Sequence, residues 1–283
     1  MNDLNKTSKE AFKAPLANDT EIFPRGLFDL YPAFKLDDNL IVSSYAKLTE
    51  VLNEKIKNGL RVLAIDGYMG QSWELLKEEI TAGVKDYSLT WINIKDCLND
   101  NEKIEEIIKP FLGGNDRIFG KHFPLSLEQF FDPVKLAQER INSSIIRGDV
   151  SNDELIIYYG VGAGLLEIWD ELWYLDMPKD ILQHKFRAGK AKNITTDANL
   201  KFEEFYKRAY FVEWPALNRH KKRLLNSIDL FVDLQNDTNP VFINGKELRT
   251  AITKVSENPF RVKPWFFPGP WGGKYMQGHM GLD

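Results

Sequence analysis

Cysteine is all but missing, since Cys97 is the single one in 283 residues. An internal disulfide is excluded, and a reducing compartment fits. Histidine is scarce too: His122, His184, His220 and His279 stand far apart, and no HExxH or CxxC spacing occurs. The chain therefore carries no sequence signature of a metal centre. No apolar run approaches the ~20 residues of a membrane helix. The N-terminal "MNDLNKTSKEAFKAPLANDTEIFP" has no apolar core of signal-peptide length. Neither sign of charge dominates. A net charge of −4 with pI near 5.7 gives no electrostatic case for nucleic acid. G-x-S-x-G is absent, so a hydrolase elbow is unsupported. Together these absences point to a cytoplasmic protein whose partners are neither nucleic acid nor membrane.

What is present is a large apolar complement, 43% of residues, with seven Trp and eighteen Phe. Short apolar runs rich in strand formers recur at 60–65, 88–94, 153–164, 171–177 and 229–234. Between them lie amphipathic stretches. In "SSYAKLTEVLNEKIKNG", Tyr45, Leu48, Val51, Leu52 and Ile56 share a face, with a serine cap at the start and Gly59 at the end. "QSWELLKEEITAG" reads as a second helix and "NEKIEEIIKPF" as a third, interrupted at Pro110. Ser126 and Gln129 have capping-box spacing. Pro178 opens a further helix, and "LKFEEFYKRAYF" and "ALNRHKKRLLNS" read as two more. "PVFING" is a short strand meeting a turn at Asn244-Gly245, before a last helix. Buried strands alternating with helices predict an α/β fold: a mainly parallel sheet with helices on both faces. Ligands then bind at the carboxyl ends of the strands, here Asp66–Ser72, Asp96 and Gly160–Gly164.

The stretch "IDGYMGQSWE" has the outline of a phosphate loop. Glycines would let backbone N–H groups turn towards an anion, and Gly70-Gln71-Ser72 stands where G-K-S would be. The lysine is replaced by Gln71, and Asp66 adds negative charge. A plain strand-to-helix turn, a loop that holds a phosphate, and an ATP-dependent kinase loop all remain open. Gly67, Gly70, Gln71 and Ser72 are its phosphate-binding candidates. Asp96 follows the next strand, where it could take a proton from a substrate hydroxyl or face solvent. Asp66 and Asp96 are thus the catalytic candidates. Lys185, Arg187, Lys190 and Lys192 form a basic cluster. Lys185 and Arg187 are candidates to clamp a phosphoryl group, or else complement a helix dipole. "NRHKKR" (218–223) reads as a solvated helix face. Gly160, Gly162 and Gly164 mark a strand end lying close to another element.

Two resemblances follow from particular stretches. "NPFRVKPWFFPGPWGGKYM", above all Pro270-Trp271-Gly272-Gly273, resembles the segment leading into the cupin barrel of bacterial class I mannose-6-phosphate isomerase-like proteins. Roughly residues 20–258 resemble a uridine-kinase-type P-loop domain. The stretches that carry it are "VLAIDGYMGQSW", "ELIIYYGVGAGLL", "LWYLDMPKDILQHKFRAG" and "YFVEWPALNRHKKRLLNSIDLFVDL". The polar first 20 residues read as a flexible tail; the resemblances imply a P-loop kinase-like α/β domain over 21–258 and the start of a cupin-type domain over 259–283. They imply a parent isomerase acting on mannose 6-phosphate, with its zinc in a cupin domain of the same polypeptide beyond this chain. This chain itself would need no cofactor. It would be an accessory domain, with a phosphorylated sugar or nucleotide as partner. The alternative is an active or ligand-sensing small-molecule kinase-like protein, for which Mg-ATP is the expected cofactor.

Overall fold

The computed structural model describes residues 36–257, except 38, 117, 150, 152 and 195–199. The expected tail (1–20) and lead-in segment (259–283) lie outside the described residues. Seven strands form one sheet: β1 (Val42–Ser43), β2 (Val62–Gly67), β3 (Ser88–Asn93), β4 (Glu154–Tyr159), β5 (Glu171–Asp176), β6 (Leu230–Asp233) and β7 (Val241–Asn244). Their order is β1-β7-β6-β5-β2-β4-β3. The five strands β3, β4, β2, β5 and β6 pair in parallel, while β7 and β1 add an antiparallel edge. The fold is α/β and mainly parallel, as the alternation of runs predicts.

The helices are α1 (Tyr45–Lys57), α2 (Trp73–Gly83), α3 (Asn101–Ile108), α4 (Pro133–Asp149), α5 (Lys179–Arg187), α6 (Phe202–Arg208), α7 (Trp214–Leu224) and α8 (Gly245–Ser256). Every residue of β2 is buried, yet its side chains still alternate between faces. Leu63 and Ile65 pack with Leu48, Leu52 and Ile56 of α1 and Leu76 and Ile80 of α2. Val62 packs in the opposite layer with Ile104, Leu136, Leu182 and Leu217 of α3, α4, α5 and α7. Burying each such side chain is worth ~1.5–3 kcal/mol, and that is what selects this register.

Contacts divide the chain into one unit spanning Asp38–Arg249 and another comprising Met1–Asp37 with Thr250–Asp283. Several local readings need correction. Ser126 makes no side-chain cap. It precedes only a short 3₁₀ turn, Leu127–Phe130. The long helix α4 is started instead by Asp132, whose Oδ1 accepts from the N–H groups of Val134 (2.8 Å) and Lys135 (3.2 Å). No separate turn follows β7, because Gly245 is already the first residue of α8. A Cβ there would collide with the Ile228 carbonyl. The two helices expected after residue 200 are joined by a π-turn, Ala209–Glu213, a feature often found at functional sites. β1 and the antiparallel β7–β1 edge were not legible in the sequence pattern.

The crossovers place a site. From β2 the chain passes to β3, returns to β4 beside β2, and then crosses to β5 on the other side of β2. Connections that leave in opposite directions open a crevice at the strands' carboxyl ends.

Candidate functional site

The penultimate residue of β2 is Asp66, which is fully buried. Its Oδ1 accepts from the N–H groups of Gly67 (2.6 Å) and Gly162 (2.9 Å). Its Oδ2 accepts from Gly164 N–H (2.8 Å) and lies 2.6 Å from His220 Nε2. Arg223 Nη2 lies 3.4 Å from His220 Nδ1. A guanidinium only donates, so Nδ1 accepts and Nε2 carries the hydrogen given to Asp66. Gly164 has to be glycine, because a Cβ would stand 2.9 Å from Asp66 Oδ2 and 2.6 Å from Leu224 Cδ1. Gly162 adopts φ +96°. The carboxylate thus ties β2, the turn after β4 and helix α7 into one unit.

The loop after β2 is held from behind. Tyr68 and Met69 are buried, and the Tyr68 hydroxyl donates to Asn218 Oδ1 (3.1 Å). Burial raises the Tyr68 phenol above its ordinary range. Gln71 turns inward, its Nε2 donating to the Leu175 carbonyl (2.9 Å). Gly70 has φ +86°, and a Cβ there would strike Leu182 of α5. Lys185, itself buried, donates to the Gly70 carbonyl (3.3 Å) and pairs with Asp237 (2.7 Å). Among the described residues, no group accepts from the backbone N–H of Gly70 or Gln71.

In front of this loop lies a cavity of about 340 Å³. Lys95, after β3, lines it together with Lys190 and Lys192, in the segment that follows α5. Trp73 supplies an aromatic wall, and Gln71, Asn93 and Asn193 supply amides. No carboxylate belongs to its lining among the described residues. In a chain of net charge −4, a lining with three lysines and no described carboxylate makes a local positive site.

The rim at Asn193 rests on a buried charge network. Asn193 Nδ2 donates to Glu213, and Ile194 N–H donates to the same carboxylate (3.1 Å). Glu213 is fully buried, which raises its pKa, and Arg208, 3.2 Å away, offsets part of that rise. Arg208 in turn pairs with Glu105. Two amide oxygens of cavity-lining residues have no hydrogen-bond partner: Gln71 Oε1 and Asn193 Oδ1. Those residues are only 9% and 4% exposed. Buried oxygens left in this way are uncommon in folded proteins.

The predicted site residues therefore separate. Gly70 and Gln71 line the cavity, and Gly67 does not. Asp66 is enclosed by protein donors. Asp96 is exposed on the turn Ile94–Cys97 and is not among the lining residues. Ser72 precedes α2 without a side-chain cap and does not line the cavity. Lys185 supports the loop from behind, and Arg187 lies over the Phe202 ring at 4.2 Å. The basic-cluster lysines that reach the cavity are Lys190 and Lys192. "NRHKKR" is not simply a solvated face, since His220 is buried, Lys221 pairs with Asp176, and Arg219 bonds the Phe123 carbonyl (2.6 Å). Sequence reasoning missed Asn93, Lys95, Asn193, Trp73 and His220. Only Lys95 carried a signal, as the basic neighbour of Asp96.

No grouping of three His, Cys, Asp or Glu that could hold a metal ion occurs among the described residues. No helix of these residues is long and apolar enough to cross a membrane. A family profile described as "Domain of unknown function (DUF8485)" matches residues 44–257. No curated protein matches the chain. Two similar solved structures are a candidate fructose transport system kinase from Silicibacter sp. TM1040 and a candidate uridine kinase from Bacillus stearothermophilus. The first is 14% identical, with TM-score 0.42, covering 62% of this chain and 94% of the other. The second is 14% identical, with TM-score 0.38, covering 65% and 97%. Both scores are too low to bear on function.

Proposed function

The chain belongs to the DUF8485 family, and we propose that this domain binds a phosphorylated small molecule without transferring its phosphoryl group. The observation that carries the reading is the cavity at the carboxyl ends of β2, β3 and β4, lined by Lys95, Lys190 and Lys192 and by no described carboxylate. Gly70 and Gln71, whose N–H groups have no acceptor among the described residues, immediately precede the start of α2, where a helix favours negative charge. Trp73 offers a flat apolar surface to the rest of the ligand.

Turnover is disfavoured by the same geometry. Asp66 has its carboxylate engaged by Gly67, Gly162, Gly164 and His220, so it is not placed to take a proton from a substrate. We assign it, with His220, the task of holding the two glycine turns. Gln71 is directed at the Leu175 carbonyl. The isomerase likeness of residues 259–283 makes a hexose phosphate the first ligand to try and suits an accessory role beside a zinc barrel.

Isothermal titration of the chain with mannose 6-phosphate and with unphosphorylated mannose tests the reading. Binding of the phosphate ester alone, with no ATP hydrolysis in a coupled assay, is expected. Equal affinity for both sugars would refute anion recognition, and ATP turnover would refute the non-catalytic role.

A further inference from the structure

We infer that the anion is held without a magnesium ion, so that the site takes a phosphate monoester and not a magnesium nucleoside triphosphate. This rests on the anion-binding reading above. A magnesium site needs one or two carboxylates, or a hydroxyl, beside the substrate's phosphates. Among the described residues, no carboxylate lines the cavity, and Asp66, Asp96, Asp176 and Asp237 are engaged elsewhere or lie off it. Asp66 is enclosed by three glycine N–H groups and His220. Asp176 pairs with Lys221 and accepts from Met177 N–H (3.1 Å). Asp237 pairs with Lys185. Asp96 and the Ser72 hydroxyl do not line the cavity. Magnesium-nucleotide chemistry therefore does not fit the described residues of this cavity.

The charge missing from the loop is supplied from another element. Gly70 abuts Leu182 and Ala191, which brings the segment carrying Lys190 and Lys192 against the loop. Ammonium groups from that segment neutralise a dianion directly, which is the task a metal would share. The partnerless oxygens of Gln71 and Asn193 indicate what the other end of the ligand carries. They accept hydrogen bonds, so the donors they suit are hydroxyl or amine groups.

The test is titration of the full chain with mannose 6-phosphate, inorganic phosphate and ATP, each in magnesium and again in excess EDTA. The expected result is an affinity for the monoester that EDTA leaves unchanged, and no gain in ATP affinity from magnesium. Lys190→Gln with Lys192→Gln should weaken the monoester by at least about tenfold, the scale of a lost charge-assisted bond. Both lysines are exposed, so the thermal midpoint should hold. Lys57→Gln, on the exposed end of α1, should leave binding unchanged. Binding that EDTA abolishes would overturn this inference and leave anion binding standing. Affinity unmoved by the two lysine changes would overturn the assignment of charge to this segment. No binding of any phosphate compound would overturn the functional reading as well.

Discussion

Asp66→Asn tests whether the central carboxylate is a structural tie or a substrate-facing base. In the native chain it accepts from Gly67, Gly162 and Gly164 N–H and from His220. An amide keeps one oxygen and can serve only one pair of these donors. Its nitrogen then faces the Gly164 N–H and the imidazole. His220 can adapt by presenting its other tautomer, giving up its contact with Arg223. The Gly164 N–H has no such recourse. Leaving it buried without an acceptor costs ~1–3 kcal/mol. The surviving bonds lose their charge assistance, roughly 1 kcal/mol more. The expected loss is about 2–4 kcal/mol, against a total stability of about 5–15 kcal/mol for a domain of ordinary stability. The melting midpoint should fall by roughly 5–15 °C. Guanidinium unfolding at neutral pH, followed by far-UV circular dichroism, measures this directly, with an unchanged slope showing a comparable transition. A change below about 0.5 kcal/mol, the size usual for an ordinary surface substitution, would refute the reasoning. It would mean that the carboxylate is solvated and free for chemistry.

Other substitutions probe the same construction from different sides. Gly164→Ala should lower stability by about 1–3 kcal/mol through the clash with Asp66 and Leu224; an unchanged thermal melt would show that the β4 turn does not pack as described. Gln71→Lys puts an ammonium at a buried position beside the Leu175 carbonyl, so the ligand-free midpoint should drop and added inorganic phosphate should restore it. A midpoint that neither falls nor responds to phosphate would place the side chain in solvent. Burial pushes the Cys97 thiol up to about 11. Above ~8.5, where the unfolded thiol ionises, the unfolded state binds fewer protons than the folded one. Stability is thus complete below that pH and is lost as pH rises towards the folded value. Cys97→Ala should flatten that alkaline decline in denaturant titrations at pH 7.5 and 10, and an identical decline in both proteins would contradict the burial.

Much of the architecture is written locally. The runs of four or five consecutive apolar residues in β2, β4 and β5 have nowhere to go but the middle of a sheet covered on both faces, while β3 at the edge is only partly buried. Pro110 ended α3 at Ile108 by removing a donor, and Gly70 announced a turn that a side chain would obstruct. The loss of the loop lysine could also be read directly, because a motif is a statement about neighbours in sequence. What required the tertiary structure was every pairing across distance. His220 meets Asp66 over 154 residues of chain, and helical periodicity says only that one face of α7 is buried, not which strand end it reaches. Gln71 and Ser72 are adjacent and equally polar, yet the former turns inward to the Leu175 carbonyl and lines the cavity, while the latter does neither. Lys185 and Lys190 share one basic cluster, but one is spent on Asp237 while the other borders the cavity. Residue type sets what a side chain can donate or accept. Only the packing of separate elements decides which partner it finds, because that choice depends on distances the chain closes in folding.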